Sequence, residues 1–304
     1  MNSNRRLGYS MAVLAAAISG VAIWVNSQGV HVLRDATLYT TLKNSVVGIA
    51  LVVPFLAMAG RRAELNRLNR GQWAWLGVLA LVGGSIPYVL FFQGLQMTNP
   101  LTGSLLNHLQ FVFVALFAVA ALRERVPAAM MAGLMVLLAG TVIGLNLGSV
   151  RWGPGALMVL ASTVLFAAGF VLAKRLLSEV SVLTVITAKM TLGSIALAAY
   201  AGSTGRLGAV AHLSLVQWDW VLLTGLILLA FTVTTFIAIR HAPVTAVMAI
   251  AMASPLVTAL LGLSSGVRLI AVPVLTLSLT AAGVAIVIWA GARGHAGRIS
   301  GHPA

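Results

Sequence analysis

Apolar runs of about twenty residues recur ten times along the chain, separated by short polar joints. They lie at about 8–28, 37–60, 73–96, 99–122 and 126–147, then at about 154–173, 182–202, 218–239, 243–265 and 269–291. A helix needs roughly twenty predominantly apolar residues to cross the hydrocarbon of a bilayer. The pattern therefore predicts an all-α integral membrane protein with ten transmembrane helices. The joints hold the turn and charge signals, among them Arg34-Asp35, the stretch from Gly60 to Gly71, Arg123-Glu124-Arg125 and the stretch from Arg151 to Pro154. The third and fourth spans are separated by Thr98-Asn99-Pro100, and the eighth and ninth meet at Arg240-His241-Ala242-Pro243. Proline can open a helix there, because the first helical amide needs no partner.

Basic residues are unevenly divided among the joints. With the N-terminus inside, thirteen of the nineteen Lys and Arg fall in inner segments, including Arg5, Arg6, Arg61, Arg62, Lys174 and Arg240. Four (Arg34, Arg151, Arg206 and Arg268) fall outside, and Lys43 and Lys189 lie within spans. This bias predicts a multi-pass protein of the plasma (inner) membrane with both termini cytoplasmic. It also explains the formal charge of +14 without nucleic acid, since no basic helix or aromatic-interleaved patch occurs. Hydrophobic residues make up 60% and charged residues 8% of the chain, far from the balance of a soluble domain. Without cysteine there is neither a disulfide nor a thiolate metal site.

Shifted by about 145 residues, the chain aligns with itself. Thr41-Leu42-Lys43 falls on Thr187-Ala188-Lys189, and Gly48-Ile49-Ala50-Leu51 on Ser194-Ile195-Ala196-Leu197. Ala139-Gly140-Thr141-Val142-Ile143 meets Ala282-Gly283-Val284-Ala285-Ile286 after a one-residue adjustment. Five spans per half is an odd number, so the halves must be inserted in opposite senses. The reading is two inverted five-helix repeats, 1–150 and 151–292, followed by a disordered cytoplasmic tail, 293–304. Inverted repeats of this kind are a recurrent plan of transporters, with substrate near the midplane.

The stretch from Tyr88 through Phe91, Phe92, Gln93 and Gly94 to Thr98-Asn99, continuing to Glu124-Arg125, resembles the EamA family of the drug/metabolite transporter superfamily. The resemblance covers about residues 8–291 and implies a five-plus-five inverted repeat and a transport activity, with export favoured. Some positions depart from the family pattern. Phe111 stands at the usual proline of the fourth span, whereas Pro255 keeps it in the ninth. Arg268 replaces a customary glutamate, and Lys43 and Lys189 lie where many members carry arginine.

Polar side chains within hydrocarbon require a partner or a wet cavity. Lys43 and Lys189 occupy mirrored depths in the repeat. Each either snorkels to headgroups and helix-end carbonyls or faces a central cavity and attracts an anionic substrate group. The fourth span carries Ser104, Asn107, His108 and Gln110, a polar stripe suited to lining a cavity or joining helices. His108 can pack as a hydrogen-bonding residue or titrate. Further substrate-binding candidates are Asn26 on the first span, Tyr88 and Phe92 on the third, Phe166 on the sixth, Thr235 on the eighth and Met252 on the ninth. Gly140 and Gly144 form a close-packing motif. Glu124 is expected to pair with a nearby arginine or cap the fifth helix.

The function expected from these residues is a membrane transporter, exporter or exchanger, of small organic metabolites. Amino acids or related carboxylate-bearing solutes lead, moved by alternating access, and the alternative is a multidrug or cationic-compound efflux carrier. No Asp or Glu lies in mid-span, which favours a facilitator or exchanger over a proton antiporter. No set of convergent nucleophiles, paired carboxylates or clustered histidines suggests an enzyme, a cofactor or a metal. Neither a filter loop nor a charged ring suggests a channel. The expected partners are a small-molecule substrate and membrane lipid, with the protein a monomer or weak dimer.

Overall fold

The structure is a computed structural model that describes residues 3–98, 100–145, 152–264 and 271–293. The expectations for Asn99, Arg151, Arg268 and the tail beyond 293 lie outside the described residues, as does that for the side chain of Ser104. The described residues form fourteen α-helices joined by short turns: α1 (Ser3–Leu33), α2 (Ala36–Ala57), α3 (Ala59–Arg67), α4 (Arg70–Gly84), α5 (Ile86–Met97), α6 (Pro100–His108), α7 (Gln110–Leu122), α8 (Ala128–Leu145), α9 (Pro154–Leu176), α10 (Val182–Ser203), α11 (Leu215–His241), α12 (Val244–Ala251), α13 (Ser254–Ser264) and α14 (Ala271–Arg293). A 3₁₀ turn, Arg206–His212, precedes α11. Among the described residues, eight helical segments are long and apolar enough to cross a membrane. Two shorter apolar segments, Leu106–Leu122 and Ala128–Gly144, accompany them.

Local chemistry sets the helix ends. Asp35 accepts hydrogen bonds from the Thr37 and Leu38 amides, both at 2.9 Å, and so starts α2. Reciprocal capping boxes, Asn69 with Gln72 and Ser214 with Gln217, start α4 and α11. The joint between the second and third spans, read from sequence as a loop, contains the nine-residue helix α3. Its composition is polar and basic, so it forms a turn at the surface of the bundle rather than a crossing.

The bundle is apolar on the outside and encloses polar side chains alongside its apolar core. Ile49, Val53, Leu157, Ile195, Leu226 and Leu260 each expose 59–66% of their surface, whereas Thr40, Thr41, Asn44, Ser162, Thr163 and Thr235 are buried. Hydrocarbon, unlike water, imposes no penalty on such an exterior. Several buried hydroxyls satisfy themselves on the preceding turn, as Thr41 does on the Thr37 carbonyl at 2.8 Å.

α8 packs on α14, α2 on α10, α1 on α11, and α9 on α4 and α5. α1 also packs on α12 and α13, while α9 packs on α6 and α7. Glycine permits two of the tightest approaches. A Cβ on Gly169 of α9 would stand 2.7 Å from the Gly83 Cα of α4, and one on Gly133 of α8 would stand 3.0 Å from the Gly283 carbonyl oxygen of α14. Gly140 and Gly144 pack on the same helix, against Leu279 and Thr276.

The bundle has two distinct ends. At one, the basic end, Lys174 near the close of α9 donates to the carbonyls of Ile239 (2.6 Å) and Ala242 (2.8 Å). In return, Arg240 donates to the Leu177 and Val180 carbonyls, each at 3.0 Å. Glu64 accepts from the Ser181 amide and hydroxyl at 3.1 and 3.0 Å. Glu124 accepts from the amides of Val244 (2.8 Å) and Thr245 (3.3 Å), so the helix it caps is α12 and not the fifth crossing. A wide apolar cluster, including Leu176, Leu177, Val180, Ile239 and Val244, fills the space beneath these contacts. At the far end, Arg206 pairs with Asp35 at 3.0 Å, Gln217 donates to the Val32 carbonyl at 3.2 Å, and the apolar clusters are small.

Candidate functional site

Three apolar runs that read as continuous are interrupted. α4 gives way to α5 at Ser85, with Pro87 in the first turn of α5. α6 gives way to α7 at Leu109, where Leu109 and Val112 make tightened bonds to the carbonyls three residues back, Leu106 (3.3 Å) and Leu109 (3.0 Å). α12 gives way to α13 at Met252 and Ala253, whose amides reach back three residues to Ala249 (3.2 Å) and Ile250 (2.9 Å). The last two breaks fall at matching places of the two sequence repeats. Pro255 accounts for one of them, since a proline cannot continue the hydrogen-bond ladder. The other has no proline and was not legible.

Two adjoining cavities lie beside these breaks. The first, about 250 Å³, is bounded by Tyr88, Phe91 and Phe92 of α5, Phe166 and Phe170 of α9, Phe231 and Phe236 of α11, with Asn107, Gln110, Thr232, Thr235 and Lys189. The second, about 230 Å³, is bounded by Ser19 and Ile23 of α1, His108, Met248, Met252 and Ser254. Asn107, Gln110, Phe170, Phe231 and Thr235 belong to both and form the wall between them. Neutral hydrogen-bonding groups are thus concentrated at the septum, and aromatic faces in the first chamber.

Lys189 is the cation of the first chamber. Its ammonium lies 5.7 Å from the centroid of the Phe236 ring and 3.8 Å from the Met190 sulfur. Neither contact matches an oxygen acceptor, and no carboxylate pairs with it among the described residues. Its stem passes Gly83, where a Cβ would lie 3.6 Å from Lys189 Cε. Tyr88 and Phe166 stand edge to face with centroids 4.9 Å apart, a geometry favoured by the ring quadrupoles. Thr235 is 2% exposed, and its hydroxyl has no hydrogen-bond partner among the described residues. Its neighbour Thr234 instead bonds the Ala230 carbonyl at 2.8 Å, the ordinary solution in a helix.

Of the sequence candidates, the structure therefore brings Lys189, Tyr88, Phe92, Asn107, Gln110, Phe166 and Thr235 around one chamber, and His108 and Met252 into the next. Lys43 and Asn26 stand apart from both. Asn26 Oδ1 accepts from Lys43 Nζ at 3.1 Å and from the Tyr39 hydroxyl at 2.8 Å. The Asn26 amide nitrogen donates to the Ala22 carbonyl at 2.7 Å. The Lys43 ammonium also lies 4.9 Å from the Tyr39 ring centroid. Sequence reasoning missed Phe91 and Phe236. Phe236 lies one turn beyond Thr232, so the helical period carried a signal for it.

A cavity between interrupted helices, with one cation and several aromatic walls, has the chemistry of a site for a small organic solute. Solved structures include one of similar fold, described as a crystal structure of a protein. It is 22% identical and superposes with a TM-score of 0.72 over 97% of this chain and 98% of its own. An uncharacterized transporter, YyaM, of Bacillus subtilis (strain 168) is 21% identical over 176 residues. That match spans 56% of this chain and 56% of the relative, little more than half the length of each. The EamA-like transporter family matches residues 6–145 and matches again at 153–289. On that double match, which takes in both halves of the sequence, the chain belongs to the EamA-like transporter family.

Proposed function

We propose that this protein carries small carboxylate-bearing organic solutes, amino acids or their relatives, across the membrane by alternating access. The observation that carries the reading is Lys189, a half-buried cation with no carboxylate partner among the described residues, in an aromatic-walled cavity between interrupted helices. A lysine in mid-membrane costs roughly 2.5–3.5 kcal/mol on insertion scales. A substrate carboxylate would offset that cost, and the surrounding rings would take an apolar or planar remainder. Asn107, Gln110 and Thr235 would orient its remaining polar groups.

The transport cycle would use ten helices in two inverted halves. The double family match supports this, as does the reciprocity of the packing. α1 meets α11 as α9 meets the α4–α5 pair, and α1 meets the α12–α13 pair as α9 meets the α6–α7 pair, while α2 with α10 and α8 with α14 are pairs of counterparts. By the positive-inside rule the basic end is cytoplasmic, and its packed, mutually capped contacts fit a state closed toward the cytoplasm. Since mid-span carboxylates are lacking, the carrier works as a facilitator or exchanger.

The test is thermal unfolding of the purified protein against amino acids, organic acids, phosphates, amines and lipophilic cations, followed by flux in proteoliposomes. A ligand that binds only the folded protein raises its midpoint by mass action. Stabilisation by carboxylates and their uptake or exchange support the reading. Stabilisation by cations alone would overturn it in favour of cationic-compound efflux.

A further inference from the structure

Lys43 and Lys189 are counterparts in sequence and in placement, yet only one meets the cavity. Each stands seven residues into its helix, Lys43 from Ala36 and Lys189 from Val182. α2 starts at the far end of the bundle and α10 at the basic end, so the two ammonium groups enter from opposite sides. Their helices pack together, with the Thr191 hydroxyl directed at the Gly48 carbonyl at 3.4 Å and Gly48 close against Ser194. Each lysine lies near one aromatic ring, Lys43 near Tyr39 and Lys189 near Phe236. The difference is in polar contact. Lys189 lines the open chamber with no oxygen partner among the described residues, whereas Lys43 is held by Asn26, whose amide also takes the Tyr39 hydroxyl.

We infer that Lys43 is the second carboxylate seat of the transport path, exchanging roles with Lys189 when the protein opens at its basic end. The inference rests on the alternating-access reading proposed above. Two inverted halves that swap conformations must swap the environments of equivalent residues. The cavity-lining state of Lys189 then becomes that of Lys43, while Lys189 withdraws without such a tether, since Val185 stands where the first half has Tyr39. Asn26 is the neutral placeholder in this scheme. It occupies the Lys43 ammonium while no carboxylate is near, through one hydrogen bond that a carboxylate, as a charge-assisted acceptor, can outcompete. A carboxylate would therefore find a cation in either state, on the wall away from the opening.

The absence of cysteine from the chain makes the test direct. Lys43→Cys, Lys189→Cys and Thr235→Cys are made one at a time and exposed to a membrane-impermeant thiol reagent, in right-side-out and in inside-out vesicles. Lys189→Cys is expected to react from the far face and Lys43→Cys from the basic face. Thr235→Cys, in the wall shared by both chambers, is expected to react from both. Reaction of Thr235→Cys from both faces, with Lys43→Cys inert or reactive from the far face alone, would overturn the exchange of roles and leave alternating access standing. Reaction of Thr235→Cys from one face alone would overturn alternating access and this inference with it. Should Lys43→Cys fail to fold, Asn26→Cys reads the same crevice from the opposing helix, with the same expected face.

Discussion

Lys174 of α9 donates to the carbonyl oxygen of Ala242, 2.8 Å away and just beyond the end of α11. The same ammonium reaches the Ile239 carbonyl at 2.6 Å, and Arg240 returns two bonds to the turn that follows α9. The C-terminal carbonyls of one helix are thus satisfied by a cation of the other, the favourable sense of the helix dipole. Lys174→Met removes the donor and strands partly buried carbonyls. Losing one partner of such a charged hydrogen bond costs about 1–3 kcal/mol. The variant is expected to unfold at a lower temperature in detergent, and an unchanged midpoint would show that water replaces the lysine at no cost.

For Lys189 the signs of the two effects oppose each other. Its ammonium lacks an oxygen partner among the described residues, so Lys189→Met removes an uncompensated charge from the membrane interior. The folded protein is expected to gain stability, since the insertion cost of lysine disappears. Carboxylate binding should weaken by at least about tenfold, which is about 1.4 kcal/mol. Lys189→Arg keeps the charge and should retain most of the binding. The paired measurement is the melting midpoint without ligand and its shift with a carboxylate solute. Lower stability together with undiminished binding would assign Lys189 to packing.

Eight helical segments long enough to cross a membrane were legible because each carries its own signal, an apolar run of the right length with polar ends, and the shorter Leu106–Leu122 and Ala128–Gly144 were legible as apolar runs. The breaks within the apolar runs were read as continuous helix, and only proline left a mark of them in the sequence. Pro87 and Pro255 flag two, while the break at Leu109 lies among Asn107, His108 and Gln110 with no helix breaker present. There, tertiary packing decides what propensity does not. Long-range polar contacts were the least legible. Glu124 was expected to pair with arginine or cap the next helix, yet it caps α12, 120 residues onward in sequence. Asn26 and Lys43 were both singled out, but nothing in a linear pattern joins an amide on α1 to an ammonium on α2. Lys189 and its aromatic chamber share this property. The residue types suggested a cavity, and only the fold could say which lysine faces it.

Gly169 sets the distance between α9 and α4 beside the first chamber. A methyl group there would meet the Gly83 backbone, with the Cα only 2.7 Å away, so the helices must part. Overpacking of this kind costs typically about 1–3 kcal/mol. Gly169→Ala is expected to lower the melting midpoint and, by displacing Phe166 and Phe170 on the same helix, to weaken ligand stabilisation as well. Gly77→Ala, where nothing lies within 4 Å of the added methyl, serves as the control: it should leave the ligand shift unchanged and not lower the midpoint, since alanine favours the helix over glycine. Equal melting of wild type and Gly169→Ala would mean that the two helices separate without loss.

Thr235 offers the sharpest separation of folding from function. Its side chain is buried at the wall between the chambers, and its hydroxyl has no partner among the described residues. A hydroxyl that folding leaves unsatisfied costs about 1–3 kcal/mol by mutational measures. Thr235→Val keeps the shape and removes that burden, so the unliganded protein should melt at a higher temperature. If the hydroxyl serves the solute, the same change removes a hydrogen bond at the moment of binding, and the ligand-induced shift should shrink. Thr235→Ser restores the hydroxyl and should recover the shift while losing the packing of one methyl. Thermal unfolding of the three proteins with and without a carboxylate solute reads both quantities together. A stabilised valine variant with an undiminished shift would place the solute elsewhere in the chamber, nearer the rings of Tyr88 and Phe166 than the septum.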